Sequence, residues 1–456
     1  MFLVGDKIFA QAPKEEVLHK MKKRVTRKES REQLEGFRLS CEVIKVMRHF
    51  FPQLWEELSR VKDPRHASYI TYSSCTILMT RILSAIFYIS SMRKASEELN
   101  TKTAIKNIGE LCHQELEELP YWETINNYLK RIDPEEPQGI VCKMAYGLIR
   151  SRAFEEGRIR NRYWQILIDG TQIISGQREL DGKYIFKVHN KGKENEYTEY
   201  SYYVLEAKIV LRNNIVVSIM SEFVENKEEE YQKQDCERKA GIRLMERLKR
   251  VFPRLPICIS GDSLYACKGF FHRCRSYGWH FLVRFKAGSI PTVEEEFDTL
   301  KKLQNNLIEQ SGCCYDFVTG IHCQGIPLNY AHCAEHNGRI FNFLTDLPLT
   351  KKNVPLTVFY GRRRWRIENY GFNAQKNHGY FIQHLFSRNC QAMKNHYFLI
   401  QIAHMISQIM DAWKALWQNI KLSGEQKHKR MLESWKTDII DGSIISSSPR
   451  FQIRFV

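Results

Sequence analysis

Three acidic residues from distant parts of the chain carry the chemistry that this sequence offers. Glu368 lies in YGRRRWRIENYGFNAQK, Tyr360 to Lys376, a Pro-free stretch that reads as a helix. Tyr360, Arg364 and Glu368 recur at four-residue spacing, which puts them on one face of a regular helix. Arg362, Arg363 and Arg366 add positive charge around that face. A lone carboxylate among arginines is a poor anion site. It makes sense if Glu368 helps to hold a divalent metal while the guanidiniums hold phosphate oxygens. Asp169 ends the apolar run YWQILI, and Asp262 follows PICIS and Gly261. Each run predicts a short strand buried on both faces, with its Asp at the strand end, facing a crevice. A buried Asp needs a metal, a cation or water to offset its charge. Three carboxylates from separate segments could hold two Mg²⁺ or Mn²⁺ ions about 3.5–4 Å apart, as in-line phosphoryl transfer requires. All-oxygen ligation favours these hard cations over zinc. A strand-end Asp alone is more often a turn former or a helix cap; only the joint pattern points to a site.

These residues need a scaffold. The chain has 456 residues, a length that predicts two to four domains. Its 43% hydrophobic and 27% charged content suits a globular protein. An excess of 69 Lys+Arg over 52 Asp+Glu gives a net charge of +17 and points to a polyanion, nucleic acid before membrane. Tyr69 to Ser91 is the most apolar long stretch. Arg81 sits in its middle, so it reads as a buried helix and no membrane partner is expected. MFLVGDKIFAQ lacks a basic start and meets Asp6 early, so no secretory signal is expected. The 13 cysteines are an odd number dispersed through the chain, and read as reduced cytosolic thiols.

Six regions follow from the texture of the chain. Residues 1–36 form a basic arm with a knot at Lys20, Lys22, Lys23, Arg24, Arg27 and Lys28. Residues 37–157 carry helical periodicity and predict an all-helical domain, expected to bind DNA. Within it YWETINNYLKRI offers Thr124, Asn126, Asn127 and Lys130 to DNA, although no helix-turn-helix signature stands out. Residues 158–290 predict three strands, a helix, a strand, a helix and a strand, hence an α/β mixed sheet flanked by helices. Asn213 and Asn214 suggest a hairpin turn between two of these strands. Residues 291–352 read as a β-rich insertion, and residues 353–415 as the return to the sheet. That return comprises the Glu368 helix and a long amphipathic helix from Ala392. Residues 416–456 read as a polar, weakly ordered tail with a Ser-rich turn at 446–448.

The motifs LIDGTQ, EYSYYVLEAKIVL, ISGDSLYA, RWRIENYGFNAQKNHGY and AMKNHYFLIQIAHMI together resemble the DDE transposases of bacterial insertion sequences. The resemblance spans residues 60–415 or so. It implies an RNase H-like catalytic core with a β insertion, and Asp169, Asp262 and Glu368 as catalytic, metal-holding residues. It also implies two Mg²⁺ (or Mn²⁺) ions, DNA partners (terminal inverted repeats and target DNA) and a homodimer on DNA. A bacterial cytoplasmic, nucleoid-associated location follows. The family's Tyr-x2-Arg-x3-Glu-x6-Lys signature fits at Arg364 and Glu368. Tyr360 falls one residue early and Lys376 one late, with Gln375 in the lysine's place. By the resemblance Arg364 contacts the DNA backbone near the cleaved phosphate. Tyr360 and Lys376 are further DNA-contact candidates, and Arg362 and Arg366 join them on charge alone. Trp365 is expected to pack in the core, with stacking on a flipped base as the alternative. Cys313, Cys314, His322, Cys323, His332, Cys333 and His336 cluster in the insertion without a CxxC knuckle, and ordinary packing is favoured over structural zinc. The function expected is DNA transposition. The alternatives are a catalytically silent transposase-derived DNA-binding protein and a metal-dependent nuclease without strand transfer.

Overall fold

Hydrophobic runs of two periods build the chain: alternating or continuous runs give strands, and 3.6-residue periods give the helices that cover them. The computed structural model describes residues 38–212, 215–226, 234–413, 417, 422–440 and 442. The basic arm, the Asn213–Asn214 turn and the Ser-rich turn lie outside these residues.

The protein is a mixed α/β structure. Among the described residues ten strands form one sheet. β1 (Trp164–Gly176) pairs antiparallel with β3 (Tyr197–Val210). The far edge of β3 takes β2 (Ile185–His189) at one end and β4 (Val216–Val224) at the other. On its other side β1 pairs parallel with β5 (Ile257–Ser260), and β5 parallel with β6 (His280–Phe285). The insertion adds β7 (Ile308–Gln310), β8 (Cys313–Cys323), β9 (Ile326–Glu335) and β10 (Ile340–Thr345). These form an antiparallel series that joins the sheet through β10 and β6.

The helical region comprises α1 (Leu39–Phe50), α2 (Leu54–Arg60), α3 (Ser74–Ile86), α4 (Met92–Glu98), α5 (Lys102–Cys112), α6 (Trp122–Leu129) and α7 (Glu135–Arg150). Ser73, Ser91 and Thr101 cap α3, α4 and α5 by accepting backbone N–H bonds, which fixes their starts. On the sheet, α8 (Glu237–Val251) packs against β3 and β4, α9 (Lys268–Ser276) against β6, and α10 (Pro291–Gln304) against β8. Next come α11 (Val354–Arg362), α12 (Asn373–Asn377), α13 (Cys390–Ala412) and α14 (Gly424–Thr437).

α13 is buried on nearly every side, because it lies between β4 and helices α1, α3, α6 and α7. One hydrophobic cluster therefore runs from Leu39 through the sheet to Ile440, and the helical region shares its core with the sheet. Arg81, expected on a buried helix, is wholly buried in α3. It donates to His396 Nδ1 at 2.9 Å and lies over the Phe386 ring. No helix among the described residues is long and apolar enough to cross a membrane.

Two expectations are corrected here. β1 does not end at Asp169 but runs on to Gly176, because β3 continues to pair with it after β5 has stopped. The tail is not weakly ordered throughout. α14 docks on α1 and α5 and buries His428, Met431 and Trp435, and Asn107 bonds the backbone carbonyls of Trp435 and Asp438.

Candidate active site

Strand register brings the two aspartates together. Leu167 of β1 is level with Ser260 of β5, and two residues further along each chain lie Asp169 and Asp262. Side chains two apart on a strand share a face, and neighbouring strands lie about 4.8 Å apart. The carboxyl end of β5 thus lies beside β1, and strand carboxyl ends are the usual place for ligands in such sheets. Asp262 caps a short 3-10 turn, Ser263–Tyr265, by accepting the Leu264 N–H at 2.9 Å. Asp169 Oδ1 accepts its neighbour's Gly170 N–H at 3.1 Å, and Oδ2 accepts Arg364 Nη1 at 2.8 Å.

Burial pushes the Asp169 carboxyl up to about 6; Arg364 opposes this, and the charges of Asp262 and Glu237 add to it. Such a shift, set by burial and specific charged neighbours, is common at functional sites.

The stretch expected as one regular helix is broken twice. α11 stops at Arg362, and Arg363 and Arg364 form a turn. A π-helical turn then spans Ile367–Phe372 and contains Glu368. Such single π turns are frequent at functional sites. The breaks undo the four-residue alignment, so Tyr360, Arg364 and Glu368 do not share a helix face. Tyr360 packs in the core with Val358 and Phe343, and its hydroxyl accepts the Arg160 N–H at 3.3 Å. That burial corrects its reading as a DNA contact. Ile367 and Phe372 pack with Leu167 and Val210, so the π turn covers the sheet face that carries Asp169. Glu368 is half-buried there.

The other candidates are placed as follows. Arg362 pairs with Glu335 at 2.7 Å and lies over the Phe341 ring. With Arg366, Arg363 and Lys352 it borders a cavity of about 500 Å³ floored by Leu356, Val358 and Phe359. Arg363 is buried and donates to the Gly157 carbonyl at 2.8 Å. Lys376 is half-buried on α12. Trp365 is 56% exposed, against the expected core position, and the Arg364 guanidinium lies over its ring at 5.4 Å.

Gln375, in the place of the signature lysine, is fully buried. It donates to Gln401 Oε1 at 2.7 Å and lies 2.9 Å from His404 Nδ1. Gln401 accepts from Lys208 at 3.0 Å, and Lys208 pairs with Glu206 at 3.2 Å, both ions wholly buried. Glu206 also accepts from Ser218, Ser221 and Tyr397. This polar chain ties α12, α13 and β3 together behind the site.

No family model matches the chain, and no curated protein matches it. The site therefore rests on its own geometry.

Glu237, the first residue of α8, is a nearby acid that the sequence reading did not single out. Its Oε1 accepts the Tyr265 hydroxyl at 2.9 Å and its Oε2 the Tyr203 hydroxyl at 3.1 Å. Burial raises its pKa, and Asp262 raises it further. In sequence it is one acid of a charged helical segment, and nothing marks it out. Among the described residues no group of three His, Cys, Asp or Glu is close enough to hold a metal ion as it stands. Arg364 occupies Asp169 instead. In the insertion, His332 Nδ1 lies 2.8 Å from Asn342 Oδ1, and Cys323 and Cys333 are buried in the packing.

Proposed function

We propose that the protein is a DDE-type DNA transposase, which cuts the ends of a mobile element and joins them to target DNA. One observation carries this reading. Asp169 on β1 and Asp262, two residues past the end of the neighbouring parallel strand β5, lie equally far beyond the paired Leu167 and Ser260, and Arg364, four residues before Glu368, is bonded to Asp169. The strand order supports an RNase H-like core: β4, β3 and β1 antiparallel, then β5 and β6 parallel, with further strands inserted before the Glu368 segment. The charge of +17 supports a DNA partner.

The donor set fits hard divalent cations. The charge of Asp262 adds to the raised proton affinity of the partly buried Asp169, and a metal would offset that repulsion. Asp169, Asp262 and Glu368 would hold Mg²⁺ or Mn²⁺. When bound, the ions supply activation of a water or 3′-hydroxyl and stabilisation of the leaving oxygen. Arg364 keeps Asp169 neutralised until then, and its guanidinium is suited to a phosphate oxygen once released from the carboxylate. The exposed Trp365 ring beside it offers a stacking face for a base. DNA affinity should come largely from backbone contacts and fall steeply with salt. A dimer on DNA would bring two element ends together.

The experiment is Mg²⁺-dependent cleavage and joining of DNA carrying the ends of the element that encodes the chain. Asp169→Asn, Asp262→Asn and Glu368→Gln should each abolish both steps while leaving DNA binding intact. Cleavage at the parental rate by all three variants would refute the proposal. Cleavage of intact ends without joining of pre-cut ends would reduce it to a nuclease.

A further inference from the structure

We infer that Lys208 is a positioning residue of this site, holding the π turn of Glu368 against the sheet face that carries Asp169. The inference rests on the catalytic reading above and adds a residue that acts through Glu368 rather than on DNA.

Strand register places the lysine. β1 and β3 are antiparallel, with Leu167 opposite Lys208 and Asp169 opposite Glu206. Directly opposed residues share a face of the sheet, and so do residues two apart on one strand. Asp169, Leu167, Glu206 and Lys208 therefore point to the same side, where Ile367 and Phe372 of the π turn pack. Lys208 and Glu206 are wholly buried there, 3.2 Å apart.

Lys208 is fitted closely to the turn. Its stem lies against Gly371, where a Cβ would come within 3.0 Å of Lys208 Cε and 3.1 Å of Cδ. Its ammonium lies 5.8 Å from the centre of the Phe372 ring. The same ammonium donates to Gln401 Oε1 at 3.0 Å, and Gln401 and Gln375 exchange amide hydrogen bonds of 2.7 and 3.2 Å. Gln375 belongs to α12, which follows the turn without a break. Glu206 is anchored in its turn by Ser218 and Ser221 of β4 and Tyr397 of α13, which donate to it. Sheet and α13 thus fix the lysine, and the segment after Glu368 is seated on it.

Stability alone does not call for this arrangement, since an apolar pair of like volume often serves as well as a buried ion pair. A single π turn is a rare conformation, and a charged group packed directly beneath it gives it a defined seat. The competing explanation is that the pair merely fills the core between β3 and α13.

The test uses the full chain and the cleavage of element-end DNA described above. Lys208→Met combined with Glu206→Gln removes both charges at similar volume. Melting and DNA affinity should stay near the parent's, while amide hydrogen exchange across residues 367–372 should quicken. Cleavage at saturating DNA should slow about 100-fold with KM unchanged, the loss that a misplacement of about 1 Å can bring. Gly371→Ala leaves the ion pair in place and lifts the turn off the lysine stem, so exchange and turnover should move the same way. A pair that only fills the core would leave both at parental values in an intact fold. Parental turnover in the double variant, or unchanged exchange across residues 367–372, overturns the inference, and an inactive Glu368→Gln beside it keeps the transposase reading. Should the double variant melt early, Gly371→Ala decides, and parental exchange and turnover there overturn the inference. A parent that does not cut DNA would sink both.

Discussion

Asp169→Asn should make the protein more stable, and the gain should depend on pH. The carboxyl is pushed from its ordinary 3.8 up to about 6. At 1.36 kcal/mol per tenfold change in proton affinity, the ionised Asp169 carries about 3 kcal/mol of unfavourable free energy at neutral pH. Its side chain keeps 20% of its exposure, so solvent screening reduces the expectation to about 2 kcal/mol. The sign follows from the direction of the shift. The folded chain binds this proton more tightly than the unfolded chain. The penalty is therefore absent below about pH 4, grows between about 4 and 6, and is complete above. Asparagine keeps an oxygen for Arg364 and cannot ionise. Urea unfolding at about pH 4.5, 5.5 and 7.5 should show parent and variant converging at the acid end and separating by about 2 kcal/mol at the neutral end. A variant less stable than the parent at neutral pH, or a gain independent of pH, would refute the reasoning.

Other perturbations test the scaffold. Trp435→Ala removes a fully buried ring from α14 and should cost about 3–5 kcal/mol in urea unfolding, with early protease cleavage near residue 437. Lys208→Met leaves Glu206 buried beside an apolar chain and should cost about 3–5 kcal/mol; adding Glu206→Gln should recover most of it. His396, His404 and His428 are held below the usual histidine range, chiefly by burial. Their contribution is present above the unfolded value of about 6.5 and is lost as the pH falls below it, at up to about 1.4 kcal/mol per pH unit for each. His404→Gln should flatten that acid slope in urea midpoints measured between about pH 7 and 5.

Local pattern made much of the fold legible. The apolar runs at Tyr163–Ile168 and Ile257–Ser260, the Lys268–Ser276 helix and the three longer insertion strands all appear near their expected places. What failed were features set by partners remote in sequence. The extent of β1 depends on β3 outlasting β5 as its neighbour. The docking of α14 depends on a groove between α1 and α5, and its apolar residues are few in a charged stretch. The break at Arg363 and the π turn at Glu368 could not be read from spacing, since no Pro or insertion announces them. Trp365 shows the limit of composition: a large ring among arginines reads as core, yet the turn beside it points the ring outward. For the candidate site, Asp169, Asp262 and Arg364 were picked out because their types and neighbours in sequence are distinctive. Glu237 was not, because two tyrosines from other elements single it out only in three dimensions.

The bond from the Ser40 amide to the Ser434 hydroxyl closes a span of 394 residues, and Trp435 fills the groove beside α1 and α5. On the ribosome, the first helices must therefore wait with an apolar groove uncovered until α14 has left the exit tunnel. During that interval the nascent chain is exposed to aggregation and to chaperone capture. A chain truncated before residue 424 would carry the same exposed groove permanently, even with Asp169, Asp262 and Glu368 all intact.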